Sequence, residues 1–325
     1  MPFDSTLAER FDLLLSQAQR VFVACHLNPD GDALGSALAM SQYLQHRGVP
    51  HEVLCNNDAP FNLKFLPGVT KVTLQPKGEQ ADVAIVLDLD SFDRLGRVRP
   101  YIEAADTVIL IDHHVPHEAQ GDLRIVNVES PATALVVHQL FKAVGYRPSA
   151  EAATCLLTGI VTDTGSFRFR NTTAEALHAS AELLECGGDL ALVGREVYMN
   201  RPLKSIELVG RTLSNMQLDL DGKLAWSVLT IDDFSEFGAE EQHTEGLANE
   251  LLSIDTVHIA VIIRQPTTGK VRASIRSREP YDVSKVAQKF GGGGHRNAAG
   301  CTFDLPIEQA ETELIEEIKK CLESC

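Results

Sequence analysis

The chain has 325 residues, of which 44% are hydrophobic and 23% charged, and its formal net charge at pH 7 is −16. This composition is typical of a globular protein with one or two domains. The acidic balance argues against binding to long nucleic acids or anionic membranes, because the average field repels both. No apolar stretch reaches the ~20 residues of a membrane span, and no signal peptide is evident, so we expect a cytoplasmic protein without membrane contact.

The cysteines do not form a recognisable framework. There are seven, an odd number, and none of them belongs to a CxxC pair. Several lie in apolar runs and are expected to act as small core residues. The cysteine pattern therefore argues against a disulfide-stabilised secreted domain and favours a reducing compartment.

The first half of the chain alternates between predicted strands and helices. Strands that alternate with helices favour an α/β domain with a doubly wound, mostly parallel sheet. Hydrophobic periodicity and helix-terminating glycines give the limits. Helices are predicted at 7–18, 33–48, 131–144, 151–161 and 173–185, and strands at 20–26, 53–54, 81–89 and 107–111.

The second half has a different pattern of predicted helices and strands. Residues 189–216 are predicted to be helical, with Pro202 as a break. Beyond them the pattern predicts a smaller α/β domain with a mixed sheet, whose second and third strands are joined by the turn 266–269. We therefore expect a catalytic domain at 1–190, a helical linker at 191–215, a second domain at 216–325 and a site in the cleft between them. The predicted strands are 226–231, 256–263, 270–275 and 301–305, and the predicted helices are 283–290 and 307–322.

Polar side chains follow the predicted strands where each strand should end. Asp112, His113 and His114 come directly after an apolar run, and ligands of open α/β sheets bind at the carboxyl ends of strands. A solvated loop explains this triplet equally well when it is taken alone. Comparable polar groups occur at three other places, and together with the triplet they favour a ligand site over a solvated loop. These groups contain His26, Asp30, Asp32, Asp88 and Asp163.

These residues form a set of nitrogen and oxygen donors without sulfur. Such donors favour Mn²⁺ or Mg²⁺, with Co²⁺ or Zn²⁺ as alternatives. Converging carboxylates would repel one another unless cations were present, and two divalent ions can also hold a phosphoryl group. Singly, each residue has another explanation: His26 as a core histidine, Asp30 and Asp32 as turn residues, and Asp163 as a helix terminus. We favour Asp88 over Asp90 because Asp88 lies nearer the strand end.

One segment is basic although the chain is acidic. Residues 264–296 contain eight basic and two acidic side chains, which suits a small anion better than a long polyanion. The tetraglycine 291–294 permits close approach of backbone N–H groups to an anion. Alternation along one strand puts Arg272, Ser274 and Arg276 on one face. A flexible turn and an exposed strand face are the alternatives.

The sequence resembles the DHH phosphoesterase family. The matching pieces are His26-Leu27-Asn28-Pro29-Asp30-Gly31-Asp32, Asp88, Asp112-His113-His114 and residues 158–167. The stretch GGGGHRNAAG at 291–300 is similar to the signature of the DHH-associated C-terminal domain. Within the family, residues 162–167 and 171–173 are most similar to the bifunctional oligoribonuclease and pAp phosphatase enzymes.

The resemblance implies roles for individual residues. His26 and Asp30 would hold one Mn²⁺ and Asp32, His113 and Asp163 a second, with Asp88 as the bridge. His114 would face the scissile phosphate, and Asp112 would orient a histidine. One position departs from the subgroup, which often has a glutamate where this chain has Leu135. The implied substrate-binding residues are Arg272, Ser274, Arg276, Gly293, Gly294, His295 and Asn297.

The resemblance also implies an activity. It predicts a Mn²⁺-dependent phosphodiesterase, with Mg²⁺ or Co²⁺ as alternative metals, in which a bridging hydroxide attacks in line. We expect substrates of about two to five nucleotides, dinucleotides foremost, because the acidic body repels longer polyanions; pAp is a second expected substrate. Open alternatives are a phosphodiesterase for cyclic di-AMP or linear dinucleotides, a 3′-phosphate nucleotidase and a catalytically silent nucleotide sensor. Expected partners are short RNAs or small nucleotides, not long duplexes, and a homodimer is left open.

Overall fold

The computed structural model describes residues 4–78, 80–115, 120–266 and 269–323. It divides into two compact units, Met1–Asn200 and Arg201–Cys325. This division lies inside the segment 191–215 that the sequence predicts as a linker. The domain limits at 190 and 216, and a site in a cleft between the domains, stay predictions.

The first unit contains a five-stranded parallel sheet. Its central strands are buried on both faces, as their continuous apolar sequences predict. The spatial order is second, first, third, fourth, fifth, so the direction of winding reverses between the first and third strands. The strands are β1 Val21–Cys25, β2 His51–Leu54, β3 Val83–Leu87, β4 Thr107–Asp112 and β5 Leu123–Val126.

Helices cover both faces of this sheet, which confirms the doubly wound prediction. The larger core lies on one face, against five of the helices whose limits are given at the end of this paragraph. The other face is covered by the turn Phe92–Val98 and by the short helix that follows it. A π-helical turn, Arg195–Met199, follows the last helix. The helices are α1 Ser5–Gln17, α2 Gly31–His46, α3 Arg99–Glu103, α4 Thr133–Ala143, α5 Ala150–Asp163, α6 Ala174–Glu185 and α7 Leu190–Gly194.

Helices α2 and α5 approach each other unusually closely because three glycines face the contact. A Cβ atom on Gly35 would lie 2.4 Å from the carbonyl oxygen of Cys155. One on Gly31 would lie 2.5 Å from the Thr162 side chain, and one on Gly159 would lie 2.5 Å from Asp32 Oδ1. Any larger residue would force the helices apart. The contact is antiparallel, so the start of α2 lies beside the end of α5.

The second unit contains a mixed sheet, as predicted, and this sheet has six strands in the order β10-β11-β9-β8-β7-β6. One face of this sheet packs on the last two helices of the unit, and the other face packs on its first three helices. The strands are β6 Gln217–Asp219, β7 Leu224–Leu229, β8 Ile259–Arg264, β9 Val271–Ser277, β10 Gly293–His295 and β11 Ala298–Phe303. The helices are α8 Leu203–Ser214, α9 Ile231–Phe237, α10 Leu247–Leu252, α11 Val283–Lys289 and α12 Ile307–Glu323.

The two predicted turns of the second unit have different outcomes. Strands β8 and β9 pair antiparallel as predicted, although Thr267 and Thr268 of the turn lie outside the described residues. The glycine run is part of a hairpin, since Gly293 and Gly294 lie in β10 and pair with β11. A Cβ on Gly292 would lie 2.1 Å from the carbonyl oxygen of Gly300. Glycine is therefore required there by the packing of the hairpin itself.

Within the part of the chain that the structure describes, no helix combines the length and apolar character that crossing a membrane requires.

Candidate metal centre and phosphate-binding face

The candidate metal residues of the first unit collect at the carboxyl edge of its sheet. His26 follows β1, Asp88 follows β3, and Asp112 is the last residue of β4. The winding reverses between β1 and β3, and in open α/β sheets such a reversal opens a crevice in which ligands bind. The fold therefore brings residues that are distant in sequence to one place.

The first group of candidate ligands is His26, Asp30 and Asp88. His26 Nε2 lies 3.4 Å from Asp88 Oδ2 and 3.7 Å from Asp30 Oδ2. The other ring nitrogen of His26 is 2.8 Å from the carbonyl oxygen of Leu27. Asp30 caps α2, because its Oδ1 accepts hydrogen bonds from the backbone N–H groups of Asp32 and Ala33. One Asp30 oxygen thus serves the helix while the other faces His26.

The second group is Asp32, His113 and Asp163; the α2–α5 contact brings the two carboxylates together, and His113 follows β4. His113 Nε2 lies 3.4 Å from Asp163 Oδ2, 3.5 Å from Asp88 Oδ1 and 4.0 Å from Asp32 Oδ2. Its Nδ1 is 3.1 Å from the carbonyl oxygen of Ser130. Asp88 therefore borders both groups, as a bridging ligand would.

Thr133, which the sequence analysis did not single out, connects two of the carboxylates. Its backbone N–H donates to Asp32 Oδ2 at 2.6 Å, and its hydroxyl donates to Asp88 Oδ1 at 2.9 Å. Asp32 Oδ1 also accepts from the N–H of Ala134. The first backbone N–H groups of a helix have no partner within the helix, and at the start of α4 these bonds provide one while they fix the carboxylates. A threonine at a helix start is common, so the sequence carries no signal of this role.

Asp88 has a backbone conformation that non-glycine residues rarely adopt. Its φ is +59°, in the left-handed region, where a Cβ atom is strained. Its N–H bonds to the carbonyl oxygen of Ile111 in the neighbouring strand β4. Strain of this kind persists only where the surroundings over-determine it, and it clusters at functional sites. Asp90, two residues on, instead lies 3.4 Å from the Arg94 guanidinium.

Asp112 organises the two histidines that follow it. Its Oδ1 accepts from the backbone N–H groups of His113 and His114, and lies 2.8 Å from His114 Nδ1. Its Oδ2 is buried and bonds to no described residue. The carboxylate fixes the tautomer of His114 with the proton on Nδ1, so Nε2 is the atom turned to other partners.

The electrostatics of this cluster are those of a cation site. Burial raises the pKa of Asp32 and of Asp163, and neighbouring carboxylates raise it further. Burial lowers the pKa of His26, but hydrogen bonds to Asp30 and Asp88 outweigh it and raise that pKa to about 10. Burial acts to raise the pKa of Asp88, yet its hydrogen bond with His26 leaves it lowered. The carboxylates can all ionise only if cations balance them.

The donor set fits divalent metal ions. The candidate ligand atoms in each of the two groups lie within 4.8 Å of one another. They are imidazole nitrogens and carboxylate oxygens, which suit Mn²⁺ and Mg²⁺. Ligand atoms of Asp88, Asp112 and His114 form a further group of the same span.

The second unit brings four of the predicted substrate-binding residues, Arg272, Ser274, Arg276 and His295, to one sheet face. Arg272, Ser274 and Arg276 alternate along β9 with buried apolar residues, as predicted. Ala298 of β11 pairs with both Arg276 and His295, so His295 lies on the same face. Burial and the charge of a nearby arginine lower the pKa of Arg276. This face concentrates positive charge in a partly dehydrated place.

Two residues of this face were missed by the sequence analysis. Arg264 on β8 donates to Ser274 Oγ at 2.7 Å and also contacts Glu241 at 3.2 Å. Glu241 forms an ion pair with Arg272 as well. The register of β8 and β9 places Arg264 beside Arg272, and Glu241 comes from the separate turn Glu241–Thr244, so spacing along the chain gave no signal.

Asn297 has local partners. Its side-chain amide donates to Ser277 Oγ at 3.0 Å and to the carbonyl oxygen of Tyr281 at 3.2 Å. These bonds hold the turn between β10 and β11. A contact of Asn297 with substrate stays a prediction, and its carbonyl oxygen is the atom left for it.

Comparison with known proteins agrees with this arrangement. A model of the DHH family N-terminal domain matches residues 20–160, and a model of the DHHA1 domain matches residues 221–324. A bifunctional oligoribonuclease and PAP phosphatase NrnA from Thermus thermophilus is 35% identical over 92% of this chain and 89% of its own. The chain belongs to the DHH family. DHH phosphoesterases are hydrolases that use divalent metals, and the expected family is confirmed.

Two further proteins are similar to this chain over almost its whole length. The crystal structure of an exopolyphosphatase-related protein from Bacteroides fragilis has a TM-score of 0.91 and 29% identity, covering 99% of this chain and 96% of that one. A cyclic-di-AMP phosphodiesterase PdeA from Listeria monocytogenes is 26% identical over 96% of this chain and 49% of its own. Both units of the fold therefore recur together.

The carboxylate cluster predicts a large stabilisation by metal that depends on Asp88. After chelator treatment, each bound Mn²⁺ at 100 times its dissociation constant should stabilise the wild type by about 2.7 kcal/mol, because it binds only the folded state. Thermal unfolding with and without Mn²⁺ measures this increment. Asp88→Asn should lose most of it, whereas the matched variant Asp90→Asn, outside the cluster, should keep it. Equal increments in the two variants would contradict the assignment.

Proposed function

We propose that this DHH protein hydrolyses short oligoribonucleotides to mononucleotides with Mn²⁺ as its metal, and that it also removes the 3′-phosphate of pAp. The observation that carries the proposal is the pair of donor groups that share Asp88 at the crevice of the sheet. The names of the relatives support the substrate class.

The proposed ligands divide as the distances suggest. His26, Asp30 and Asp88 would hold one ion, and Asp32, His113 and Asp163 would hold the other with Asp88 between them. Divalent ions held there would supply Lewis-acid polarisation of a phosphodiester and activate water. Mg²⁺ or Co²⁺ would suit the same donors.

The surrounding residues would prepare the site for an anionic substrate. The bonds of Thr133 to Asp32 and Asp88 fix both carboxylates before substrate arrives. His114, oriented by Asp112, would contact the scissile phosphate through Nε2. Preorganised donors of this kind stabilise charge that develops in a phosphoryl-transfer transition state.

The arginine face would bind the substrate's other phosphate and nucleotide. Arg272 and Arg276 would contact a terminal phosphate, with Ser274, His295, Asn297 and the backbone of Gly293 and Gly294 around it. Guanidinium groups bind phosphate through paired, charge-assisted hydrogen bonds. Because the rest of the chain is acidic, a small basic face favours short substrates over long ones.

A second candidate substrate is cyclic di-AMP, which the likeness to the Listeria monocytogenes phosphodiesterase favours. It would use the same donor groups, but both of its phosphates are diesters within a ring, so it offers the arginine face no terminal phosphate. A nucleotide sensor without turnover is the alternative from another class.

One hydrolysis panel with Mn²⁺ separates these functions. The substrates are pAp, a linear dinucleotide, a five-nucleotide RNA, a 24-nucleotide RNA and cyclic di-AMP. We expect fast turnover of the dinucleotide and of pAp and little turnover of the longest RNA. Preference for cyclic di-AMP would replace the proposed substrate, and tight binding without turnover of any compound would favour a sensor.

Removal of one arginine should separate binding from chemistry. Arg276→Ala is expected to raise KM for dinucleotides about 10- to 100-fold, because hydrogen bonds to charged groups contribute about 1.5–3 kcal/mol, with little change in kcat. Lys285→Ala removes the same charge from an exposed position of the same unit and should leave KM unaltered. A fall in kcat with constant KM would contradict the binding role of Arg276.

A further inference from the structure

A loop of unusual composition follows the candidate ligand Asp163. Residues 164–172 contain two phenylalanines, two arginines and no acidic residue, in a chain whose net charge is −16. The loop connects α5 to α6 and lies at the end of α5 that faces the metal groups. Interleaved aromatic and basic side chains are typical of surfaces that bind single-stranded nucleic acid.

The backbone of this loop is strained and held in place. Gly165, Ser166 and Phe167 have consecutive φ values of +56°, +60° and +61°, a region that side-chain-bearing residues avoid. The N–H of Ser166 bonds to the carbonyl oxygen of Val161 at 2.7 Å, and the N–H of Phe167 bonds to Thr164 Oγ1 at 3.1 Å. The surrounding bonds thus maintain a shape that the isolated segment would not keep.

Further bonds tie the loop to the metal groups. Asn171 Nδ2 donates to the carbonyl oxygen of Asp163 at 3.0 Å. The backbone N–H of Phe169 donates to the carbonyl oxygen of Thr164, also at 3.0 Å. The chain therefore doubles back, and Phe169 stands beside the residue that follows Asp163.

The four side chains at the tip of the loop have different surroundings. Phe167 packs on the core, and Arg168 bonds through Nε to the carbonyl oxygen of Gly165 at 2.6 Å. Phe169 is 51% exposed, and its ring tip lies so close to Gly165 that a Cβ there would be 2.4 Å from Cζ. Arg170 is exposed and bonds to none of the residues described here. A half-exposed aromatic ring that packs against Gly165 and an exposed guanidinium thus lie beside the residues that follow Asp163.

We propose that Phe169 and Arg170 form a nucleotide subsite, in which Phe169 stacks on a base beside the scissile phosphate and Arg170 binds a phosphate oxygen. The inference rests on the proposed function and adds a substrate feature to it, namely a base next to the bond that is cleaved. Stacking on one ring tolerates every base. Because one edge of the ring already packs against Gly165, part of its side-chain freedom is lost before binding.

Dinucleotides with a base removed test the subsite. The wild type, Phe169→Ala and Phe169→Tyr are each assayed with an intact dinucleotide and with two analogues, one abasic at the 5′ unit and one at the 3′ unit. For the wild type, one abasic analogue should have a KM about tenfold or more above that of the intact compound. Phe169→Ala should abolish this preference, and Phe169→Tyr should retain it.

Arg170 is tested with the same compounds. Arg170→Ala should raise KM for intact and abasic dinucleotides alike, because the phosphate is common to both.

The matched control for Phe169→Ala is Leu177→Ala, which removes a comparably exposed apolar side chain from α6. It should leave the preference for the intact dinucleotide unaltered. Thermal unfolding of each variant establishes that it folds.

The outcomes separate the two proposals. A wild type that hydrolyses dinucleotides, together with a Phe169→Ala variant that keeps the full preference for the base, would overturn the subsite and leave the proposed function standing. Equal KM values of the wild type for intact and abasic compounds would overturn it too. A wild type that cleaves no dinucleotide would overturn both proposals.

Discussion

The close antiparallel contact between α2 and α5 is the constraint on which the candidate site depends. Gly35 and Gly159 let the two backbones approach to a distance that any side chain would prevent. The consequence is electrostatic, since the start of α2 carries Asp32 and the end of α5 carries Asp163. The packing of these two helices thereby brings the carboxylates of Asp32 and Asp163 together at the edge of the sheet.

The carboxylates would be costly without partners, and the structure supplies partners of two kinds. Backbone N–H groups at the starts of α2 and α4 donate hydrogen bonds to Asp30 and Asp32, and the His26 imidazole lies 3.4 Å from the Asp88 carboxylate. Divalent cations are suited to balance the negative charge that these donors leave uncompensated. Fold and site are thus linked, because the same carboxylates cap helices and face the metal groups.

The sequence allowed the α/β fold of both units to be predicted, together with the residues that follow strands β1, β3 and β4. Such residues stand out as a set because ligands of open α/β sheets bind at the carboxyl ends of strands. Strand β5 was not predicted, since Leu123–Val126 is short and contains Arg124. The contacts of Thr133 and the ion pair of Glu241 with Arg272 depend on long-range packing that no local pattern reports.

The central claim is that two divalent ions are held by the donor groups that share Asp88. A crystal grown with Mn²⁺ and measured at the manganese absorption edge tests it directly. The account predicts two anomalous peaks, one among His26, Asp30 and Asp88 and one among Asp32, His113 and Asp163. A single peak, or peaks away from these side chains, would contradict it.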